Sequence, residues 1–343
     1  DRPPSAVLGQ LQTYLAEIFP ELGTVYHALQ PFNAIYYQGD DRASFTSTWY
    51  QALQEPKQEP FIETPLRKDE TLVCTHLTQL SSFLQHPGQY FLNQRLGAYL
   101  NTQSIELVDA EPFALDNLES FWLEDQALTT LVRMGNLDAF RQATLSSGQV
   151  LSGTTGREQL ERVINRADQV YQAITPYLTE SPATRTGEFR FGDQTLQIQL
   201  TNLHNGQLVQ FRAGRLRARD ELSLWVNHLA ANIFEPTPSI FIGRGRSNAA
   251  DACKLEPLDE NEARHHLQQL LNYYAHGIDV PLFLPAKASR TFVATCQQGQ
   301  DGETALTKTR AEWFNDRARG EGRDRYWQRL FLFPQIFYGR FGE

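Results

Sequence analysis

The residues with the clearest chemical meaning lie on two neighbouring strand patterns. Hydrolysis of a phosphodiester with two metal ions needs carboxylates that hold Mg²⁺ and a lysine that positions or activates the attacking water. An acid on one strand, followed on the next by an acid and a lysine two residues apart, meets this need. The chain has Thr201, Gln210 and Arg212 at these positions. Because Gln210 is neutral and Arg212 stays protonated at working pH, we predict no catalytic residue and no metal site there.

The elements around these residues are nevertheless those that such a site requires. Alternating apolar residues predict strands over 188–191, 195–200 and 207–211, with Gly-Asp and Asn-Gly pairs at the hairpin turns. An amphipathic helix from Asp220 to about Phe234, a strand over 239–242 and a helix over 259–276 follow. Earlier helical patterns cover 75–85, with Thr75 as N-cap, 115–134 and 157–178. We predict an α/β domain with a short central sheet and many flanking helices.

Residues 1–60 form a separate piece in this prediction. A helix with apolar residues at helical spacing covers 6–19, and an aromatic-rich stretch follows it. The polar, proline-flanked run at 54–60 has the composition of a linker. The chain begins without methionine, from which we expect a fragment of a longer polypeptide. The second piece is residues 61–343.

Bulk properties restrict the classes of partner. The net charge of −9 means that any contact with DNA must come from local basic patches. Cys74, Cys253 and Cys296 stand far apart, which argues against a zinc ribbon, an iron–sulfur site and a disulfide scaffold. The apolar run at 330–338 is too short and too interrupted to span a bilayer. We therefore predict a cytoplasmic protein without cofactor or membrane contact.

Clustered arginines are the candidate DNA-binding residues, since guanidinium groups suit bidentate phosphate contacts. Each cluster has a structural alternative, namely an ion pair with a nearby acid, and Tyr326-Trp327 beside the last cluster could anchor a helix in the core instead of stacking on bases. Asp220 and Glu221 could neutralise the first cluster. The candidates are Arg212, Arg215, Arg217, Arg219, Arg244, Arg246, Arg317, Arg319, Arg323 and Arg325.

Several short motifs, taken in order, resemble a known family. The segment 82–92 (SFLQHPGQYFL) looks like the entry helix of RecB/AddB-type nuclease domains. The segment 111–116 (EPFALD) with Phe121-Trp122, and the later 319–322 (RGEG), resemble more specifically the RecC family, the gamma subunits of exodeoxyribonuclease V. The segments 2–5 (RPPS) and 29–32 (LQPF) resemble the end of the second helicase-like domain of that family.

The resemblance implies a RecB nuclease-like core, a degenerate PD-(D/E)xK fold that has lost its active site, over residues 61–343. It implies that residues 1–60 are the tail of a preceding helicase-like domain. The function implied is a non-catalytic scaffold in double-strand break repair by homologous recombination, which docks subunits resembling RecB and RecD. A forked duplex or its single strands would be separated and channelled within that complex.

Two other functions remain open at this point. The chain could be an active Mg²⁺-dependent nuclease whose ligands have moved to Glu119, Glu188 or Asp193. It could also be a protein–protein docking module without DNA contact, which the net charge of −9 favours. A single continuous basic face would favour DNA, and dispersed ion pairs would favour docking.

Overall fold

The chain divides by its internal contacts into two units, residues 1–59 and 60–343, which are described separately. A computed structural model describes residues 5–23, 25, 27–28, 33–37, 61–62, 64–67, 73–100, 115–192, 194–245, 249–315 and 320–331. In the first unit, helix α1 spans Ala6–Ile18 and a 3₁₀ turn spans Ala34–Tyr37. Ser5 caps α1, and none of its side chains is buried. The helix expected over 6–19 is therefore present.

Five helices precede the sheet among the described residues of the second unit. The helix N-cap expected at Thr75 is wrong: the cap is His76, the residue before Leu77, and the Gln79 carboxamide closes a capping box by accepting the His76 N–H at 3.0 Å. Pro87 then cannot continue the first of these helices, and a new one begins there. They are α2 (Leu77–Gln85), α3 (Pro87–Tyr90, continued by a π turn over Phe91–Arg95), α4 (Asn117–Met134), α5 (Asp138–Ser146) and α6 (Thr154–Ile174).

A five-stranded mixed sheet follows, in the order β1-β2-β3-β4-β5. Of the neighbouring strands that the structure describes, only β3 and β4 run parallel, joined by the crossover helix α7 (Ala218–Phe234); the other neighbours are antiparallel. Asn205 and Gly206 both have positive φ, as the β2–β3 hairpin turn requires. The strands are β1 (Ala183–Phe191), β2 (Gln194–His204), β3 (Gln207–Arg215), β4 (Ser239–Arg244) and β5 (Ala250–Leu255).

The predicted strands are longer in the structure, and β5 was not predicted at all. Its sequence has little apolar alternation, and it forms by pairing with β4 over the whole of its length. Four further helices complete the described chain: α8 (Glu260–Gly277), α9 (Ala286–Gln297), α10 (Gly302–Trp313) and α11 (Arg325–Leu330). None of the described helices is long and apolar enough to cross a membrane.

The sheet is covered on both faces, which gives three layers. Helices α2, α7 and α8 pack on one face, around Leu80, Leu196 and Leu229. Helices α4 and α6 pack on the other, where Val209 and Ile240 of the parallel strands are buried. The α/β class predicted from the sequence is confirmed. Both parallel strands end beside the first turn of α7, and the candidate arginines of the segment 212–219 lie there.

Candidate nucleic-acid interface

The first arginine cluster straddles the end of β3 and the start of α7. Arg212 and Arg215 lie on the strand, Arg217 is the N-cap of the helix, and Arg219 lies in the first helical turn. The Asp220 carboxylate accepts the Arg217 N–H at 2.8 Å, which fixes the helix start two residues before the predicted one. Four arginines therefore lie within the segment 212–219.

Arg212 is engaged within the protein. Its Nη1 donates to both carboxylate oxygens of Asp220, at 2.7 Å to Oδ1, and its guanidinium lies 5.2 Å from the centre of the Phe121 ring. The two charged side chains are only 15% and 17% exposed. An alanine methyl at Gly214 would lie 2.8 Å from the Phe121 ring, so glycine leaves room for this stack. Arg212 therefore forms an ion pair with a nearby acid, which is the structural alternative to a phosphate contact.

Thr201 and Gln210 do not form a ladder pair. The described β2–β3 pairing consists of Leu203 with Leu208 and His204 with Gln207, and it ends there because Asn202 has a φ of 64° and β2 bulges. Thr201 is exposed and Gln210 is half-buried. Over the described ranges, no group of three or more His, Cys, Asp or Glu side chains could hold a metal ion.

The acids proposed as relocated ligands are dispersed. Glu119 accepts the N–H of Asp116 at 2.9 Å as part of the cap of α4. Glu188 is exposed on β1, and Asp193 lies outside the described residues. The two described acids are thus at a helix start and on an edge strand, and neither forms a hydrogen bond or an ion pair with Gln210 or Arg212.

Arg244 is held by a buried acid that the sequence did not single out. Glu124 of α4, with its side chain 3% exposed, lies 3.0 Å from Arg244 Nη1 and 2.6 Å from Arg166 Nε. Burial raises the pKa of the Glu124 carboxyl, and the two guanidinium groups oppose that rise. The only signal in the sequence is one acid within an amphipathic helix, which is too common to identify such a partner.

The remaining arginines differ in how they are engaged. No ion pair involves Arg215, Arg217, Arg219 or Arg325 in the part of the chain that the structure describes. Burial, together with the charges of Arg212 and Arg219, lowers the pKa of the Arg217 guanidinium. Arg323 and Arg325 are exposed. Three candidates lie outside the described residues, namely Arg246, Arg317 and Arg319.

The aromatic residues beside the last cluster are core residues. Tyr326 and Trp327 are 2% and 1% exposed. Trp327 stacks on His86, with ring centres 4.6 Å apart, and His86 Nε2 lies 3.2 Å from Asp324, which caps α11. Base stacking on these two rings would require the core to open. Sequence reasoning missed the link from His86 to Asp324, since 238 positions separate partners that only packing brings together.

Taken together, these features define an α/β domain in which a parallel strand pair ends beside cations instead of a cluster of acids. Comparison with known proteins specifies the family: the model of the RecC C-terminal domain matches residues 75–297, and the chain belongs to that family.

Individual relatives agree with this assignment. The chain is 25% identical over 329 residues to the RecBCD enzyme subunit RecC of Escherichia coli K12, covering 90% of this chain and 28% of that protein. It is 24% identical over 217 residues to the same subunit of Buchnera aphidicola subsp. Schizaphis graminum, covering 63% of this chain and 20% of that protein. It is 26% identical over 149 residues to the subunit of Haemophilus influenzae, covering 41% of this chain and 13% of that protein. The chain thus spans less than a third of the length of these relatives.

Proposed function

We propose that this chain is a non-catalytic scaffold and DNA-guiding domain of a helicase–nuclease complex of the exodeoxyribonuclease V type. It would act in the cytoplasm, in double-strand break repair by homologous recombination, and dock subunits resembling RecB and RecD. One observation carries the proposal: at the β3 positions where a metal-dependent nuclease would need an acid and a lysine, Gln210 is neutral and Arg212 is held by Asp220.

The fold part of the proposal is a degenerate PD-(D/E)xK core. It is supported by the order α2, β1, β2, β3, α7, β4, in which three antiparallel strands are followed by a crossover helix and a parallel strand. The degeneracy lies in Thr201, Gln210 and Arg212. Residues 1–60, on the same proposal, are the tail of a preceding helicase-like domain.

The non-catalytic part is tested with the full-length protein, purified without partners. We expect no Mg²⁺-dependent cleavage of labelled duplex or single-stranded DNA above the level seen with a chelator. Cleavage that requires Mg²⁺ and disappears in Glu119→Gln or Glu188→Gln would establish the nuclease with relocated ligands instead. Glu262→Gln is a matched control, since Glu262 is an exposed acid in the first turn of another helix.

The DNA-guiding part is tested in the assembled complex with the double variant Arg215→Ala/Arg217→Ala. If both arginines contact phosphates of a single strand, the slope of log affinity against log salt falls by about 1.4, which is 0.7 for each contact. Unwinding of a forked duplex should slow in parallel. The matched control is Arg157→Ala/Arg162→Ala on α6, two exposed arginines far along the chain from the cluster. Equal effects of the two pairs would refute DNA guidance by these residues.

A second candidate, a docking module without DNA contact, is favoured by one observation. Arg212 and Arg244, two of the ten candidate arginines, already form ion pairs with acids of the same chain. Exposed large apolar side chains, Trp122 at 59% and Phe314 at 57%, would then be partner contacts. Loss of partner co-purification in Trp122→Ser, with unchanged salt dependence in the arginine variants, would select this candidate.

A further inference from the structure

A cavity of about 770 Å³ lies beside the last turns of α4 and the end of α6, on the face of the sheet that these two helices cover. Residues of β2 and β3 line a further side of it. Three half-buried apolar side chains contribute to the lining, namely Val132, Leu178 and Phe211. None of the four arginines of the segment 212–219 lines it, so this cavity is separate from the arginine cluster.

His204 gives this cavity a hydrogen-bond donor without a partner. The residue lines the cavity and is 4% exposed, and its Nδ1 accepts the backbone N–H of Thr179 at 3.0 Å. Because a backbone N–H can only donate, Nδ1 carries no proton and the neutral ring carries its proton on Nε2. Burial lowers the pKa of His204 and so favours the neutral ring. Within the described chain no hydrogen bond reaches Nε2, so this buried donor is open to a carbonyl oxygen of a ligand.

One cation and one anion belong to the lining. Arg133, in the last turn of α4, and Glu180, which follows α6, are both exposed. Neither forms an ion pair with another described residue. The two charges balance, and the carboxylate of Glu180 disfavours a nucleic-acid phosphate, which needs a cationic surface. A ligand that satisfies both side chains carries an acid and a base at separate points.

The cavity borders a strand face that no helix covers. Helices α4 and α6 pack on β3 and β4, while Gln197, Gln199 and Thr201 of β2 stay exposed on the same side of the sheet. This face meets the cavity at Asn202, where the β2–β3 ladder has already ended. Carboxamides and hydroxyls both donate and accept hydrogen bonds, as contact with a peptide main chain requires. An extended chain on this face therefore reaches the cavity.

We propose that this cavity docks an extended segment of a partner subunit, which places one large apolar side chain against Phe211 and one main-chain carbonyl on His204 Nε2. On the two sides of that apolar residue, an acid of the segment meets Arg133 and a base meets Glu180. This inference rests on the proposed function and names the chemistry of one partner contact. The volume is within the range of concave binding sites, and a single apolar anchor in such a pocket supplies much of the energy of an interface.

The experiment uses the full-length protein assembled with the subunits that co-purify with it. Benzoylphenylalanine, a photo-reactive side chain, replaces Thr175, an exposed residue of the cavity lining, or, in a separate protein, the exposed Gln142 of α5. Mass spectrometry then identifies the crosslinked segment. The yield is measured in the unchanged protein, in Arg133→Glu and in Arg157→Glu. Arg157 is the matched control because it is also an exposed arginine without an ion pair in the described chain.

The proposal expects the probe at 175 to crosslink one segment of a partner subunit, with an apolar residue between an acid and a base, and the probe at 142 to leave that segment unlabelled. The yield should fall about fivefold in Arg133→Glu and stay unchanged in Arg157→Glu. Replacing the acid of the crosslinked segment by lysine should restore the yield in Arg133→Glu.

The hydrogen bond from His204 is tested in the same assay. His204→Leu removes the donor and should lower the yield about fivefold. His204→Gln should retain part of the yield, because a carboxamide accepts the Thr179 N–H and still donates toward the cavity. If His204→Leu fails to assemble, Arg133→Glu decides, since the exposed Arg133 has no ion pair in the described chain to lose.

Other results would overturn the proposal. If the complex assembles and the probe at 175 labels no partner polypeptide, the docking site is refuted and the proposed function stands. If the unchanged protein retains no partner subunit at all, the proposed function fails first. A crosslink from 175 to DNA or to a second copy of this chain would assign the cavity to another occupant. Equal yields in Arg133→Glu and Arg157→Glu, or a crosslinked segment without the flanking charges, would refute the proposed recognition.

Discussion

The ion pair between Arg212 and Asp220 makes a quantitative prediction. In Asp220→Asn the side chain keeps its size and its oxygen can still accept the Arg217 N–H, which now lies at 2.8 Å from the carboxylate. What is lost is the negative charge against Arg212, whose Nη1 donates to Oδ1 at 2.7 Å. The substitution therefore isolates the charge of the pair from the helix cap.

The magnitude follows from burial. Removing one partner of a buried ion pair costs about 3–5 kcal/mol, because the other charge stays without compensation. Here the side chains are 15% and 17% exposed, and Arg212 keeps the face of the Phe121 ring. Both features lower the cost, so we expect a loss of about 2–3 kcal/mol in the free energy of unfolding.

Urea unfolding of the chain, followed by far-UV circular dichroism, measures this loss. The matched control is Asp138→Asn. Asp138 is also an acid in the first turn of a helix and lies 3.6 Å from Arg141, but its side chain is 90% exposed. For that exposed pair we expect a change below about 0.5 kcal/mol.

A double variant identifies the cause. In Arg212→Met/Asp220→Asn no charge remains unmatched, so the double variant should be less destabilised than the sum of the single variants, with a coupling of about 1–2 kcal/mol. Two results would contradict this reasoning: a loss of stability in Asp220→Asn no larger than in Asp138→Asn, or a double variant whose destabilisation equals the sum of the single variants. In either case the ion pair with Asp220 does not hold Arg212.

Three further predictions concern packing and titration. Gly88→Ala places a methyl 2.8 Å from the Trp327 ring, so we expect about 1–3 kcal/mol of destabilisation by urea unfolding; an unchanged midpoint would contradict the packing. Burial raises the pKa of the Cys74 thiol to about 12, so at about pH 8 iodoacetamide should modify the exposed Cys296 and spare Cys74, and early labelling of Cys74 in mass spectra would disprove this. Burial raises the pKa of Asp324, but the hydrogen bond from His86 opposes this rise and brings that pKa below its usual value. The contribution of Asp324 to stability is therefore present above about pH 4 and is lost as the pH falls through the lowered pKa. Asp324→Asn should flatten this acid limb, and an identical pH profile would refute it.

Much of the fold could be predicted from local patterns. The spacing of apolar residues predicted α7 and α8, and the Asn-Gly pair predicted the β2–β3 hairpin, since both signals are local properties of the chain. The same reasoning failed at β5, which exists because β4 offers it a pairing edge. It also failed at the N-cap of α2, which is His76 and not Thr75; the Gln79 side chain accepts the N–H groups of both residues.

For the candidate site, the sequence by itself determined which side chains stand at the three positions that a metal-dependent nuclease would use in the proposed fold. The side chains at 201, 210 and 212 are a threonine, an amide and an arginine in any fold, so no acid and no lysine stand there. The motifs also sufficed to identify the RecC family, which the family model over 75–297 confirms.

Only the tertiary structure decided what each arginine does. Arg212 and Arg244 form ion pairs with acids of the same chain, and Arg219 lines two cavities, yet the three have the same side chain. The acid that holds Arg244 is Glu124, 120 positions away, brought to the strand end by the packing of α4 on the sheet. The physical reason is that an ion pair depends on distance and burial, and those are set by how helices and strands pack rather than by local periodicity.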